Sequence, residues 1–193
     1  MDKRIITISR EFGSGGRYIG KQVAEQLGIE FYDKEIIGKI AEKTGLAEDF
    51  IEKVGEYAPS KSIFAYSLAG RTSFGVSVED YLNSVQRKII LDIAEQQPCV
   101  IVGRCADYIL RERTDCINIF IHGNVEQKTE RIVKLYNVSE TEAQKLMKDM
   151  DKKRSVNYSY YTDQKWGNVK NYMMTLNSSE IGIEKCADLI ASL

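Results

Sequence analysis

The sequence predicts a three-layer α/β domain, with a parallel sheet between two layers of helices. Five short apolar segments lack strict alternation of polar and apolar residues, which is typical of strands buried on both faces. Helical patterns lie between these segments, and parallel strands need such crossover connections. The predicted strands are residues 5–8, 29–32, 99–102, 117–121 and 172–176.

The helical segments are recognised by apolar residues that recur every three or four positions. Ile19, Val23 and Leu27 form the first stripe, and Gly28 directly after it is typical of a C-terminal cap. Residues 139–142 form a capping box that predicts the start of a charged helix. Further apolar stripes lie in residues 82–93, 125–135 and 183–190.

Two segments interrupt the alternation of strands and helices. Residues from about 54 to 75 are rich in Ser, Ala, Gly and Tyr, and we interpret them as an insertion on the substrate side. Residues from about 145 to 166 are crowded with Lys, Arg and Tyr. No internal repeat or long linker divides the chain, so residues 1–193 are expected to form one domain.

The composition is that of an ordinary globular protein. Hydrophobic residues make up 43% and charged residues 28% of the chain, which excludes wholesale disorder. The net charge is -1, so no overall field attracts the chain to nucleic acid or to acidic membranes. No apolar segment approaches the length of a signal peptide core or a membrane span. We therefore expect a cytoplasmic protein whose partner is a small molecule, in an oligomeric state that the sequence leaves open.

The cysteines and the single histidine argue against zinc and hydrolase chemistry. Cys99, Cys105, Cys116 and Cys186 form no C-x-x-C pair and lie in or beside apolar segments. Such positions are typical of core thiols in a reducing compartment. With His122 as the only histidine, neither a Cys/His zinc site nor a Ser-His-Asp triad is expected, and we assign no metal ligand.

The most informative segment follows the first predicted strand, where three glycines lie within four residues before an amphipathic helix. Glycines let the backbone turn with its N–H groups pointing inward. The helix start adds unpaired N–H groups and a partial positive charge, and such a turn binds phosphate. The predicted phosphate-binding residues are Gly13, Ser14, Gly15, Gly16, Arg17 and Tyr18.

This loop departs from the common phosphate-loop pattern G-x-x-x-x-G-K-[ST]. With Gly15 as the second glycine, Arg10 stands in place of the first glycine and Gly16 in place of the lysine. Sliding the pattern by one residue places Arg17 on the lysine but again loses the first glycine. A tight turn that binds nothing is the alternative interpretation.

Residues 6–17 resemble the opening of the cytidylate kinase-like family, a branch of the P-loop nucleoside monophosphate kinases. Residues 100–107 are similar to the family's strand that ends in Gly-Arg, and residues 172–179 are similar to its last strand and the turn beyond it. Asp151 and Arg154 resemble its Asp-x-x-Arg lid motif. The resemblance covers nearly the whole chain.

The resemblance implies a P-loop NTPase fold with a five-stranded parallel sheet in the order 2-3-1-4-5. It also implies that residues 54–75 are the monophosphate-binding insertion and residues 145–166 the lid. The family transfers the γ-phosphoryl group of ATP to a pyrimidine nucleoside monophosphate. We therefore expect ATP and Mg2+ as cofactors, and CMP or a related small acceptor as substrate.

By the same resemblance, three residues are candidates for the acceptor side. Arg104 leaves the carboxyl end of a predicted strand and could hold a phosphate with two hydrogen bonds, or it could close a helix start by a salt bridge. Asp107 could orient Arg104 or contact a base or ribose, or it could be an ordinary acidic residue of a first helical turn. Asp33 could bind the acceptor or cap a helix.

On the lid, Lys148, Asp151 and Arg154 are candidates to contact ATP, with a solvated charged helix as the alternative. Arg17, Arg104 and Arg154 would be the catalytic cations, Arg17 in the role of the missing lysine. Phosphates, water and Asp107 or Asp151 would hold magnesium.

The missing lysine leaves the activity open, because losing one donor at a developing charge costs on the order of 10²–10³ in rate. Three hypotheses follow for the function. The chain is a CMP-type kinase, a nucleotide- or anion-binding protein with little turnover, or a phosphotransferase for another acceptor.

Overall fold

The computed structural model, which describes residues 5–55 and 77–193, contains one five-stranded sheet. Its strand order is β2-β3-β1-β4-β5, and each neighbouring pair is parallel. The predicted fold class and strand order are therefore confirmed. The strands are β1 (Ile5–Arg10), β2 (Glu30–Tyr32), β3 (Cys99–Val102), β4 (Cys116–His122) and β5 (Met174–Asn177).

Helices connect the strands, and two of their ends show the caps that the sequence predicts. Gly28 ends α1 in the left-handed region, and the Ser139 and Glu142 side chains make both hydrogen bonds of the capping box at the start of α7. The helices are α1 (Gly16–Leu27), α2 (Glu35–Thr44), α3 (Glu48–Gly55), α4 (Val78–Gln96), α5 (Ala106–Ile109), α6 (Val125–Tyr136), α7 (Glu140–Thr162), α8 (Ser178–Ile181) and α9 (Ile183–Ala191), with a short 3-10 helix at Val169–Asn171.

Successive side chains of β1 enter two separate cores, one on each face of the sheet. Ile5 packs with Ile90 of α4 on one face, whereas Ile6 and Ile8 pack with Ile190 of α9 on the other. This division arises because neighbouring side chains of a strand point to opposite faces. Burial on both faces explains why the strands are continuously apolar in sequence.

The structure differs from the predicted elements in three places. Helices α2 and α3 follow β2 where no helix is predicted, although Ile36, Ile37 and Ile40 supply a short buried stripe in α2. Most of the predicted lid, 145–166, lies in the single long helix α7. Of the predicted insertion, 54–75, only the first residues belong to α3, and the rest lies outside the described residues.

The carboxyl ends of β1, β2 and β3 meet at one edge of the sheet, which positions the site. The chain leaves β1 toward β2 on one side, and after β3 it crosses to β4 on the other side of β1. Ligands of open α/β sheets bind where the connections diverge in this way. In the described ranges, no helix has the length and apolar character needed to cross a membrane.

Candidate active site

The turn between β1 and α1 forms the floor of the site. Gly13 and Gly15 have φ values of 79° and 80°, in the left-handed region that favours glycine. Gly15 caps α1, and Gly16 and Arg17 form its first turn, whose N–H groups have no partner within the helix. This backbone carries the partial positive charge that the sequence predicts for an anion-binding turn.

The turn is also held too tightly for larger residues. A Cβ added at Gly13 would lie 2.8 Å from Ile132 Cδ1, and one added at Gly15 would lie 2.7 Å from Ile183 Cδ1. Backbone conformation therefore favours glycine at both positions, and a side chain at either one would also force Ile132 or Ile183 to shift.

Hydrogen bonds donated by Ser14 within the turn, and by Ser178 and Arg131 from outside it, fix its shape. Ser14 is buried, and its hydroxyl donates to the Glu11 carbonyl at 2.8 Å. The Ser14 carbonyl accepts from the Ser178 hydroxyl at 2.6 Å, and the Gly13 carbonyl accepts from the Arg131 guanidinium. The turn is therefore preorganised, and Ser14 itself faces the protein interior.

A cavity of about 760 Å³ opens above the turn, a volume within the usual range for small-molecule sites. It brings together most of the site residues predicted from the sequence: Gly13, Gly15, Gly16, Arg17, Tyr18, Asp33, Arg104 and Arg154. The described residues that line the cavity do not include four other predicted site residues, Ser14, Asp107, Lys148 and Asp151.

Arg17 lies at the exposed rim of this cavity in an ion pair with Asp33. Its Nε lies 2.8 Å from Asp33 Oδ2, and its side chain is 56% exposed. Asp33 does not cap α2, because Lys34 is the N-cap residue of that helix. The structure therefore excludes the capping alternative for Asp33 and pairs this carboxylate with guanidinium groups. Binding of phosphate by Arg17 and of the acceptor by Asp33 stays a prediction.

Arg10, to which the sequence analysis assigns no role, lies at the centre of the site. Its Nη2 lies 3.7 Å from Asp33 Oδ1, and its charge is electrostatically coupled to Arg17, Arg104 and Arg154. Burial and then the neighbouring Arg154 lower the pKa of Arg10 to about 9, so the group stays charged at neutral pH. Four cations that repel one another give the cavity a positive potential, which would favour a multiply charged anion.

Arg104 is held by an unusual backbone. Gly103, Arg104 and Cys105 all lie in the left-handed region, with φ values of 77°, 60° and 54°. For the two residues that carry side chains, this conformation costs on the order of 1–3 kcal/mol each. Gln86 of α4 donates to the Arg104 carbonyl at 3.3 Å and accepts from its Nη1 at 3.4 Å. Strain of this kind is characteristic of functional sites.

Asp107 is buried below the cavity instead of lining it. Its carboxylate accepts hydrogen bonds from the Tyr158 hydroxyl at 2.7 Å and from the Ser9 hydroxyl at 3.4 Å. These bonds connect α5 to α7 and to β1, so the predicted contact of Asp107 with a base or ribose has no support in this geometry. Burial raises the pKa of Asp107, and the bond from Tyr158 opposes that rise.

We expect Asp107→Asn to change how stability depends on pH. A carboxyl whose pKa is raised by folding binds its proton more tightly in the folded state, so it withdraws stability as the pH rises above its ordinary value of 3.8. The asparagine carbonyl still accepts from Tyr158 but does not titrate. Urea unfolding at a series of pH values should therefore show the variant gaining stability relative to the wild type toward neutral pH. Asp149→Asn, on the exposed face of α7, is the control and should show no such gain.

Helix α7 docks on the glycine turn through two residues that the sequence places in the site. Arg154 Nη1 donates to the Arg10 carbonyl at 3.0 Å, and Asp151 accepts from the Phe12 N–H at 2.7 Å. Asp151 therefore binds protein backbone, while Arg154 both docks the helix and lines the cavity. Lys148 is exposed to solvent on the same helix, as the alternative interpretation of a charged helix predicts.

Lys128 of α6 supports the same contact and is a second residue that the sequence analysis misses. Its side chain is only 6% exposed, and its Nζ lies 2.7 Å from Glu11 Oε2 and 4.0 Å from Asp151 Oδ2. A buried lysine is stable only when it is paired in this way. Lys128 lies three residues after the predicted helix start at residue 125, and the neighbouring sequence does not indicate that its side chain is buried and paired.

The model of the cytidylate kinase-like family matches residues 5–180 of the chain. The chain belongs to this family. Among solved structures, this family member is similar to an uncharacterized protein from Eubacterium ventriosum, with 29% sequence identity and a TM-score of 0.76. The match covers 98% of this chain and 97% of the other. No protein with curated function matches the sequence.

Shikimate kinases share the fold at much lower identity. The enzyme from Bacteroides thetaiotaomicron is 16% identical with a TM-score of 0.55, and covers 98% of this chain and 96% of its own. The enzyme from Acinetobacter baumannii, in complex with shikimate, is 16% identical with a TM-score of 0.54, and covers 98% of this chain and 91% of its own. At this identity the likeness shows the shared fold alone.

The donor groups of the site fit a magnesium ion only when phosphates and waters supply most of its ligands. The described residues contain no group of three His, Cys, Asp or Glu side chains that could hold a metal. Tyr18 is near the place of the usual hydroxyl ligand and is 53% exposed, while Asp151 binds the loop backbone. Magnesium commonly keeps several waters and binds substrate phosphates in such sites.

Proposed function

We propose that this member of the cytidylate kinase-like family is a phosphotransferase that moves the γ-phosphoryl group of ATP to CMP or a related small acceptor. One observation carries the proposal: a preorganised glycine turn and a cluster of guanidinium groups face the same cavity of about 760 Å³. Phosphoryl transfer depends on such donors and cations, because the protein contributes little covalent chemistry.

Each part of the cavity has a distinct role in the proposed reaction. The N–H groups around Gly15 and Gly16 hold the phosphates of ATP at the start of α1. Arg104 holds the acceptor phosphate in a bidentate manner, and Arg154 contributes charge from α7. An unprotonated oxygen of the acceptor phosphate forms a bond to the γ-phosphorus, the bond between that phosphorus and the β,γ-bridging oxygen breaks, and ADP leaves with the electron pair of the broken bond. Magnesium, bound to the phosphates, would neutralise their charge.

We place this reaction in the cytoplasm. Cys99, Cys105, Cys116 and Cys186 are free, and Cys99 and Cys186 are fully buried in the two cores. Unpaired core thiols are typical of a reducing compartment, where ATP is also available. A substrate-side insertion at 54–75 and a lid at 145–166 are part of the same proposal.

A second function is favoured by one specific contact. The ion pair between Arg17 and Asp33 uses a cation that the sequence assigns to phosphate, and Gly16 provides no lysine. Both features suit a nucleotide- or anion-binding protein with little or no turnover.

An ADP-release assay with ATP, Mg2+ and each of CMP, UMP, dCMP and AMP separates the two functions. We expect turnover with a pyrimidine monophosphate, and calorimetry should show binding of ATP and of that acceptor. Binding of both without ADP release would support the second function. If neither ATP nor CMP binds at millimolar concentration, both are refuted.

A further inference from the structure

We propose that Arg10 takes the place of the missing loop lysine, so that its guanidinium contacts the phosphoryl group in transfer. This inference rests on the proposed function. The role then falls to Arg10, which precedes the glycine turn, and not to Arg17, which follows it.

The packing of Gly16 against Arg10 is the first support. Gly16 stands where the phosphate-loop pattern has lysine, and Arg10 stands where the pattern has its first glycine. A Cβ added at Gly16 would lie 2.5 Å from Arg10 Cβ, 3.0 Å from Arg10 Cγ and 3.3 Å from Ile121 Cβ. Residue 16 therefore has no room for a side chain while Arg10 is present. The two departures from the pattern compensate each other in volume and in charge.

The course of the Arg10 side chain is the second support. The guanidinium crosses from the end of β1 to the end of β3, where a Cβ added at Gly103 would overlap Nη1. It also reaches within 3.7 Å of Asp33 at the end of β2. Arg10 thus lies between the glycine turn, which would hold the donor, and Arg104, which would hold the acceptor. A group transferred between the two must pass this position.

The charges around Arg10 are the third support. Asp33 is its partner at 3.7 Å, but Asp33 lies closer to Arg17, at 2.8 Å, so the Arg10 charge is only partly compensated. The positive charges of Arg154, Arg104 and Arg17 repel that of Arg10. A phosphoryl group would supply the missing negative charge, and its oxygens match the planar fork of a guanidinium.

Hydrogen bonds anchor the backbone at Arg10, as the placement of a catalytic cation requires. Its carbonyl accepts from Arg154, and the next residue, Glu11, donates its N–H to the Ile121 carbonyl at 2.9 Å. The cation is therefore carried by the last residue of β1, which is paired with Ile121 of β4.

An exchange of the two positions tests the inference. In Arg10→Gly we expect kcat to fall by on the order of 10²–10³. In Arg10→Gly/Gly16→Lys, which restores the common pattern, kcat should recover by about tenfold or more, because an ammonium regains contact with the phosphates. Gly16→Lys alone should be impaired, since its side chain overlaps Arg10. A double variant that folds and binds ATP yet is no faster than Arg10→Gly would overturn the inference.

Two further variants keep the test independent of folding. Arg10→Met retains most of the side-chain stem without the charge, and should lose kcat as Arg10→Gly does. Arg87→Met, on an exposed part of α4, is the matched control and should behave as the wild type. A wild-type kcat in Arg10→Met refutes the proposed role.

Binding of inorganic tripolyphosphate, measured by calorimetry, distinguishes failure of this inference from failure of the proposed function. The wild type could show no turnover with any acceptor, and the proposed function would then fail. In that case, a loss of tripolyphosphate affinity of about tenfold or more in Arg10→Met, with recovery in the double variant, would still show that Arg10 contacts the phosphates. Equal affinity in the wild type and Arg10→Met would overturn the inference even if the wild type were an active kinase.

Discussion

Arg104→Lys is expected to lower kcat/KM for the phosphorylated acceptor by on the order of 10²–10³, because a lysine ammonium cannot make the two parallel hydrogen bonds of a guanidinium. Both residues carry a Cβ and meet the same backbone cost at φ 60°. The change therefore removes the fork and its contact with Gln86 without altering the strain of the turn. The measurement is ADP release at varied acceptor concentration.

Two comparisons make the Arg104 prediction specific. Arg87→Lys makes the same chemical change at an exposed position of α4 and should leave kcat/KM unaltered. The affinity for ATP, measured by calorimetry, should be retained in Arg104→Lys, because this residue is assigned to the acceptor. An equal loss for ATP and acceptor would contradict that assignment.

Gly103→Ala is expected to lower both the thermal stability and kcat. At φ 77° an alanine costs about 1–2 kcal/mol from its backbone conformation alone. Its Cβ would also overlap the Arg10 guanidinium, which must then move away from its place between donor and acceptor. Displacing one preorganised cation should cost on the order of 10² in kcat. Thermal unfolding and ADP release measure the two effects.

Gly45→Ala is the matched control for Gly103→Ala. Gly45 has a φ of 72°, so the conformational cost of alanine is nearly the same, but nothing lies within 4 Å of an added Cβ. We expect the control to lose some stability and to retain full kcat. The difference between the two variants then reports the displacement of Arg10. Identical stability and kcat in both variants would show that the contact with Arg10 has no energetic consequence.

The strands and several helix ends could be predicted because they depend on neighbours in sequence. The apolar segment that begins at Ile5 is continuous because both faces of β1 are covered, and Gly28 follows the last apolar residue of its helix. Helix α2 is not predicted because three buried isoleucines within five positions, Ile36, Ile37 and Ile40, form too short a pattern to separate it from a loop.

The candidate site could be predicted only in part. The glycine turn has a local signature, since positive φ and the start of a helix select the residues at positions 13–16. Arg10 and Lys128 have no such signature, because each is one charged residue among 27 Lys and Arg until the fold brings its partners together. One feature of the sequence does agree with the role that we propose for Arg10. Arg10 replaces the first glycine of the common phosphate-loop pattern, and Gly16 replaces its lysine.

What the sequence by itself determined is the three-layer architecture, the glycine turn after β1 and the family. What only the tertiary structure decided is which charged groups meet. It placed Asp33 against Arg17, turned Asp107 toward Tyr158 and brought Arg154 to the Arg10 carbonyl, 144 positions away along the chain. The physical reason is that backbone conformation and periodicity are set by adjacent residues, whereas ion pairs and buried hydrogen bonds depend on how distant elements pack.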